Sequence, residues 1–472
     1  MTTLSVAAIW ARPWEGPPVW GGQLTFEDGR IGEVTAADPE GDALLIPGLI
    51  NAHDHGRGLR PLAFGAPDGP LEAWLWDLWR APPTDPYLTA LVAFGQMALS
   101  GVTTVVHNHL PQLEDLLIEA KAVARAARDV GIRLAFVVPI LDRNLAGYDG
   151  GAAVKAALPS DEWTAAKAAM AQRPFAEQIA TVSDIASAID GPDIVTQYGP
   201  PGPQWLSPEG LAAVGDAAAT EGRRVHIHLL ETQLQRDWMD ATCPDGAHFL
   251  FDRAGLLNDR LTVAHGVFLR SEEATAFADA SATLVLNTSS NLRLSSGIAD
   301  GAALKAAGLR LGIGLDGMAL DDDADMLREM RLTSMLLGPR RFDRPGLGRA
   351  DILRAAYSDG RVAFNGRRGD GLAAGAEADV VSLSFDRIAR DRIDDAPKTL
   401  ANLILGRACR ATVRDVWVAG RQIVKDAALT GIDLTAAERE LTKTARASRD
   451  VPAWIDAARA ARVAASTPDG LR

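Results

Sequence analysis

Cysteine is nearly absent, with only Cys243 and Cys409 in 472 residues. A pair so sparse and so widely separated builds no disulfide framework and no cysteine-rich metal site, and it fits a reducing compartment. Long apolar runs are missing too: no stretch reaches the ~18 uncharged apolar residues that a membrane-crossing helix needs. The stretch from Met1 to Gly16 has no basic segment followed by an apolar core, so no secretory signal is expected. Low-complexity tracts are lacking, and a composition of 47% hydrophobic and 23% charged residues excludes a disordered or fibrous chain. Basic residues are outnumbered, 48 Lys and Arg against 61 Asp and Glu, for a net charge of −13. Such a surface repels phosphate backbones and anionic lipid, so neither nucleic acid nor membrane is an expected partner. A few placed arginines can still receive a small anion. The expectation is a cytoplasmic, soluble, acidic protein.

What is present falls into three parts. Residues 1–48 read as short strands with turns, notably Val19-Trp20, Gln23 to Phe26 and Arg30 to Val34 around Glu27-Asp28-Gly29. The same texture returns at Ala378 to Leu383 and at Val413 to Val424, where β-branched residues alternate around a Gly-containing turn. That is a hairpin signal, and residues 1–48 with 371–432 are predicted to form one small β-sandwich domain from both termini. Between them, residues 49–370 alternate apolar runs with Ala-rich helical stretches. The runs are Leu49–Ala52, Val102–Val106, Leu134–Ile140, Ile194–Tyr198, Val225–Leu230, Leu261–Val263, Thr283–Leu286 and Leu311–Leu315. Near-continuous apolar strands alternating with helices indicate a parallel sheet covered on both faces. Eight such units suit an α/β fold of the (β/α)8 TIM-barrel type. An open doubly wound sheet is the alternative, but its Gly-x-Gly-x-x-Gly turn is missing. Residues 433–472 read as helices packed on the barrel.

Seven of the eight histidines stand at or near predicted strand ends: His53 and His55, His107 and His109, His226 and His228, and His265. His248, in a helical context, reads as a surface or packing residue. In a barrel the C-terminal strand ends converge on one mouth, where catalytic groups collect. Histidines two apart on a strand share a face, so each His-x-His pair is predicted to present two imidazoles to the interior. Two or three imidazoles with a carboxylate such as Asp316 make a standard divalent-metal set.

Pro47-Gly48-Leu49-Ile50-Asn51-Ala52-His53-Asp54-His55 resembles the first-strand signature of the amidohydrolase superfamily. His226-Ile227-His228-Leu229-Leu230-Glu231-Thr232 resembles the fifth-strand motif of its mononuclear-metal branch, which holds cytosine, guanine and S-adenosylhomocysteine deaminases and triazine chlorohydrolases. Ala264-His265-Gly266-Val267, the segment Ser289 to Ala299 and Gly312-Ile313-Gly314-Leu315-Asp316-Gly317 resemble the motifs of strands six, seven and eight, in the family's order. The resemblance implies that His53, His55, His228 and Asp316 bind one divalent cation, zinc for preference with iron or manganese as alternatives, in an enzyme that is a homodimer. His228 is favoured over His226 because the family's metal histidine stands three before its glutamate, here Glu231. His226 is left a packing or hydrogen-bonding role. No lysine occurs between Lys167 and Lys305, so the bridging lysine of binuclear relatives has no counterpart.

A bound divalent ion makes hydroxide available at neutral pH. Asp316 would take the proton of the attacking water, Glu231 would protonate a ring nitrogen and then the leaving group, and His265 would stabilise the developing oxyanion. The expected function is metal-dependent hydrolysis at an sp2 carbon of a small nitrogen heterocycle, above all hydrolytic deamination. Alternatives are ring opening of a cyclic amide, as in imidazolonepropionase-like relatives, and release of sulfide, amine or chloride. A catalytically inactive barrel serving as a binding protein is the non-enzyme alternative. Candidate substrate-binding residues are His107, His109, Gln197, Tyr198, Asn291 and Arg293, with Trp205 nearby. Arg57, Arg60, Arg143 and Arg293 are candidates to clamp a substrate carboxylate. Trp74, Trp76 and Trp79 read as a packing helix or an aromatic lid. Asp321 to Asp325 read as an N-cap cluster for the helix that follows.

Overall fold

The computed structural model describes residues 1–143, 147–339, 342–343 and 345–467. Four strands come first: β1 (Thr2–Ile9), β2 (Val19–Glu27), β3 (Arg30–Thr35) and β4 (Ala43–Pro47). Eight follow with helices between them: β5 (Leu49–Asp54), β6 (Val102–Asn108), β7 (Arg133–Pro139), β8 (Ile194–Gly199), β9 (Val225–Leu229), β10 (Leu261–His265), β11 (Thr283–Leu286) and β12 (Arg310–Ile313). The last four are β13 (Val380–Ser384), β14 (Val413–Val418), β15 (Arg421–Lys425) and β16 (Ala428–Leu429).

β5 to β12 pair in sequence order, each parallel to the next. Two bonds close the seam between last and first: Asp316 N donates to His53 O at 3.0 Å, and Leu315 N to Asn51 Oδ1 at 3.0 Å. Closure removes the unpaired edges that an open sheet would expose. The outer helices carry their own start and stop signals. In Leu116–Val130 the Asp115 carboxylate accepts from Leu117 N and Ile118 N, and Gly131 ends the helix at φ 90°. Both caps satisfy groups that the helix itself leaves unbonded. Ala120, Val123, Ala124 and Ala127 then face the barrel and are buried.

The barrel floor is apolar. Ile50, Ala52, Val106, Ala135, Val137 and Val285 pack inside it with Ala363 and Phe364. Along β5 the pairing register shifts between Asn51 and Asp54, a bulge that changes which residues point inward. Ile50 and Ala52 face inward below it, and His53 and His55 face inward above it.

Both termini build the other sheet, in the order β16-β15-β14-β13-β4-β1-β2-β3. It curls so that Ile31 N donates to Ala376 O and Ala378 N to Gly29 O, and Phe26 meets Trp417 edge-on at 6.3 Å. This fits the expected small sandwich. Of the C-terminal helices, Trp454–Ser466 packs Trp454 edge-on against Trp76 at 6.0 Å. Among the described residues no helix is long and apolar enough to cross a membrane.

Candidate metal centre and active site

At the C-terminal ends of the barrel strands, one ligand atom each from His53, His228, His265 and Asp316 lies within 4.8 Å of the others. His55 joins them, its Nε2 3.1 Å from Asp316 Oδ1 and 3.3 Å from His228 Nε2. His53 Nε2 is also 3.1 Å from Asp316 Oδ1. A tetrahedron with metal bonds of 2.0–2.1 Å has edges of about 3.3–3.4 Å, so this spacing suits one shared cation.

Proton positions agree. His55 Nδ1 lies 2.8 Å from Asn108 O, which can only accept, so the proton sits on Nδ1 and Nε2 keeps its lone pair. His265 Nδ1 meets Asn291 Oδ1 at 2.8 Å in the same way, and His265 Nε2 is buried with no partner. His53 Nδ1 lies 2.8 Å from His226 Nε2, which gives His226 the hydrogen-bonding role and fixes the ring that carries the ligand atom. Burial pushes His53 down to about 4 and holds His226 and His228 well below the usual imidazole range. For Asp316 burial works upward, but the closeness of His53 and His55 outweighs it and holds the carboxyl well below the carboxylate range. Neutral imidazoles around an ionised carboxylate are what a divalent cation requires. Ser290 Oγ donates to the other Asp316 oxygen at 2.5 Å.

Two of these residues sit in left-handed backbone, His265 at φ 73° and Asp316 at φ 58°, each followed by a glycine. Such conformations cost roughly 1–3 kcal/mol apiece and persist where the surroundings over-determine them. Asp54 is one of the restraints. Its Oδ1 accepts from Gly56 N at 2.6 Å, and its Oδ2 accepts from Asn51 Nδ2 at 2.8 Å and from Gly317 N at 3.1 Å. One carboxylate thus ties the His53/His55 turn to the Asp316 turn.

Glu231 lies beside the cluster, Oε2 3.6 Å from His265 Nε2, with Ser296 Oγ donating to Oε1 at 3.3 Å. Burial pushes its carboxyl up to about 7, His265 opposes this, and Asp316 and Glu72 reinforce it. The cluster opens into a cavity of about 950 Å³ whose wall includes Trp74, Trp79, Trp205, Gln204, Glu231 and Asp316. Of the three tryptophans after β5, Trp74 and Trp79 therefore face the cavity, while Trp76 packs on the C-terminal helix.

The expected substrate-binding residues divide. Tyr198 points outward into the helix layer, its hydroxyl donating to Glu221 at 2.9 Å, because Val195 and Gln197 take the inward positions of β8. Gln197 Nε2 donates to Ala363 O and Phe364 O at the barrel floor, below the cavity. Arg293 is committed to Asp68, Asp322 and Ala319 O, and Asn291 serves His265. His107 and His109 do share a face, but it is the helix-facing one, since Val106 and Asn108 point inward. His107 lies edge-on to Phe94 at 5.7 Å and 3.0 Å from His109 Nδ1, and His109 Nε2 meets the buried Glu119 at 2.5 Å. Only His109 also reaches the wall of the large cavity. Asp325 caps the helix Met326–Leu337 through Arg328 N, and Asp321 and Asp323 pair with Arg328, as an N-cap cluster should.

A closed parallel barrel with imidazoles and a carboxylate converging at its mouth is the architecture of a metal-dependent hydrolase. Residues 44–423 match the amidohydrolase family, and the chain belongs to it. An 8-oxoguanine deaminase from Pseudomonas aeruginosa is 29% identical over 440 residues, covering 88% of this chain and 92% of its own. A 5-methylthioadenosine/S-adenosylhomocysteine deaminase from Pyrococcus furiosus is 32% identical over 331 residues, covering 66% and 70%. Among solved structures, a zinc-bound adenosine deaminase from Xanthomonas campestris superposes with a TM-score of 0.78 at 25% identity, covering 94% of this chain and 98% of its own. Zinc-bound atrazine chlorohydrolase from Arthrobacter aurescens, at 22% identity and a TM-score of 0.78 over 94% and 100%, shares the fold.

Proposed function

We propose that the protein is a mononuclear metal-dependent deaminase of small nitrogen heterocycles, with zinc held by His53, His55, His228 and Asp316. The observation that carries this reading is Glu231: a buried carboxylic acid whose pKa is lifted to about 7, on the cavity wall 3.6 Å from His265. When bound, a divalent ion supplies Lewis-acid chemistry, polarising water and lowering its pKa toward about 7.

The chain's own residues then divide the proton work. Asp316 Oδ2, bonded to Ser290 Oγ, is the acceptor for the proton of the attacking water. Burial favours the protonated form of Glu231, the state needed to donate to a ring nitrogen and make the adjacent carbon electrophilic. His265, its Nδ1–H fixed on Asn291, faces the site through the Nε2 lone pair, which accepts a hydrogen bond from the attacking water and orients it. The aromatic wall removes water and stacks a planar ring. The names of the curated relatives support loss of ammonia over ring opening or loss of chloride.

The test is ammonia release over a panel of pterins, purines, pyrimidines, triazines and hydantoins. Glu231→Gln should keep the metal and lose about 100- to 10,000-fold in kcat. Unchanged turnover in that variant would remove the proton-transfer role, and product without free ammonia would identify ring opening.

A further inference from the structure

Arg57 follows His55 by two residues, and among the described residues its side chain makes no ion pair. The stem lies across Gly317, where a Cβ would come within 3.1 Å of Arg57 Cγ and 3.3 Å of Cδ. The guanidinium sits over the Trp74 ring, 5.2 Å from its centroid. Nε is buried with no hydrogen-bond partner. Among the described residues no carboxylate pairs with this cation; Asp316 and Asp54 act on it only at a distance, and burial works against its charge. Both carboxylates are already engaged, Asp54 by three N–H donors and Asp316 by Ser290 and by its place in the cluster with His53 and His55. Arg57 lines the large cavity together with His228, Glu231 and Asp316. Arg293, by contrast, is committed to its ion pairs, Arg143 is exposed, and Arg60 does not line the cavity.

A half-buried guanidinium whose Nε is buried without a partner is costly unless a ligand completes it. We propose that Arg57 is the specificity residue of this site and receives an anionic oxygen of the substrate. That oxygen is a carboxylate or a deprotonated ring oxo group, on the heterocycle whose C–N carbon faces Glu231 and Asp316. The inference rests on the deaminase reading and narrows its substrate class to acidic heterocycles, which the protein's net charge of −13 would otherwise disfavour. A guanidinium offers two parallel donors to such a group, and the Trp74 face holds it in orientation.

The test compares zinc-loaded wild type, Arg57→Met and Arg57→Lys on three 4-aminopyrimidines: neutral, carboxylate-bearing and bearing an acidic ring oxo group. Arg57→Met should lower kcat/KM for an anionic substrate about 10- to 100-fold, mainly through KM, and leave the neutral one within about twofold. Arg57→Lys should restore part of the loss. Whether the carboxylate or the oxo substrate shows the drop identifies the source of the anion. An equal change on all three substrates, or none, overturns the proposal. If wild type releases ammonia from none of them, pyrimidines are not its substrates and the wider panel decides on deamination, while calorimetric titration with benzoate and benzamide decides on Arg57 alone. Loss of at least about tenfold in benzoate affinity with benzamide unchanged supports it; parallel or absent changes overturn it. Arg57→Met should melt at or above the wild-type temperature, whereas an arginine with a merely structural role would lower it when removed.

Discussion

Asp54, which stands between His53 and His55 and points away from the proposed metal site, should control both stability and metal affinity. Its carboxylate accepts three bonds inside a buried seam, from Gly56 N, Asn51 Nδ2 and Gly317 N. Asp54→Asn preserves the shape but replaces one oxygen with an NH2 group, so at least one N–H is left facing another donor. Leaving one such donor unsatisfied costs about 1–3 kcal/mol. Asp54→Ala loses all three bonds, and with partial repair by water the cost is about 3–5 kcal/mol, a large share of the 5–15 kcal/mol typical of a folded domain. The same bonds join the turn carrying His53 and His55 to the turn carrying Asp316, so the ligands should lose their alignment. Removing a residue that orients metal ligands weakens metal binding by about 10- to 100-fold. Urea unfolding at fixed zinc concentration reads the stability, and competition against a chelating dye reads the affinity. Zinc affinity within about twofold of wild type, with stability changed by less than ~0.5 kcal/mol, would refute the view that Asp54 clamps the site.

Two further outcomes follow from individual side chains. Burial raises Glu329 from 4.5 to about 7, while its carboxyl accepts from Ser289 N and Ser289 Oγ. A folded pKa above the unfolded one means stability that is complete below about pH 4.5 and is lost as pH rises through 7. Glu329→Gln, neutral throughout, should therefore gain on wild type by up to about 3 kcal/mol between pH 5 and 8. A gap that does not change with pH in chemical denaturation would contradict this. Tyr198→Phe loses only the bond to Glu221, so it should cost about 1 kcal/mol and leave turnover within about twofold; a collapse of activity would mean the ring does face the substrate.

Much of this architecture can be read from the chain. The eight apolar runs coincide with β5 to β12, because strands covered on both faces have near-continuous hydrophobicity that survives without any partner information. The family resemblance favours His228 over His226 as a ligand, and in the structure His226 Nε2 lies 2.8 Å from His53 Nδ1. Facing is harder to read. Alternation from Ala52 would turn Asp54 inward and the histidines outward; the bulge between Asn51 and Asp54 reverses this, and a bulge leaves little local trace in composition. The same difficulty explains His107 and His109. The two-residue period correctly gives them a common face, but whether that face is the interior depends on Val106 and Asn108, which hold the inward positions. Arg293 ends the short helix Thr288–Arg293 and Tyr198 stands near the end of β8; their partners, Asp68 and Glu221, are set by tertiary contact alone. Asp54 was legible only as the residue between two histidines, since its role depends on Gly317, 263 positions away. Arg57 differs from Arg60, Arg143 and Arg293 only in its partners and in its place on the cavity wall, which local sequence does not reveal.

The central claim is that side chains from β5, β9 and the turn after β12 converge on one cation. Diffraction from zinc-loaded crystals at the zinc absorption edge tests it directly. The account predicts one anomalous peak at about 2.0–2.2 Å from Nε2 of His53, His55 and His228 and from an oxygen of Asp316. A peak elsewhere in the barrel, or none in protein that turns over its substrate, would contradict it.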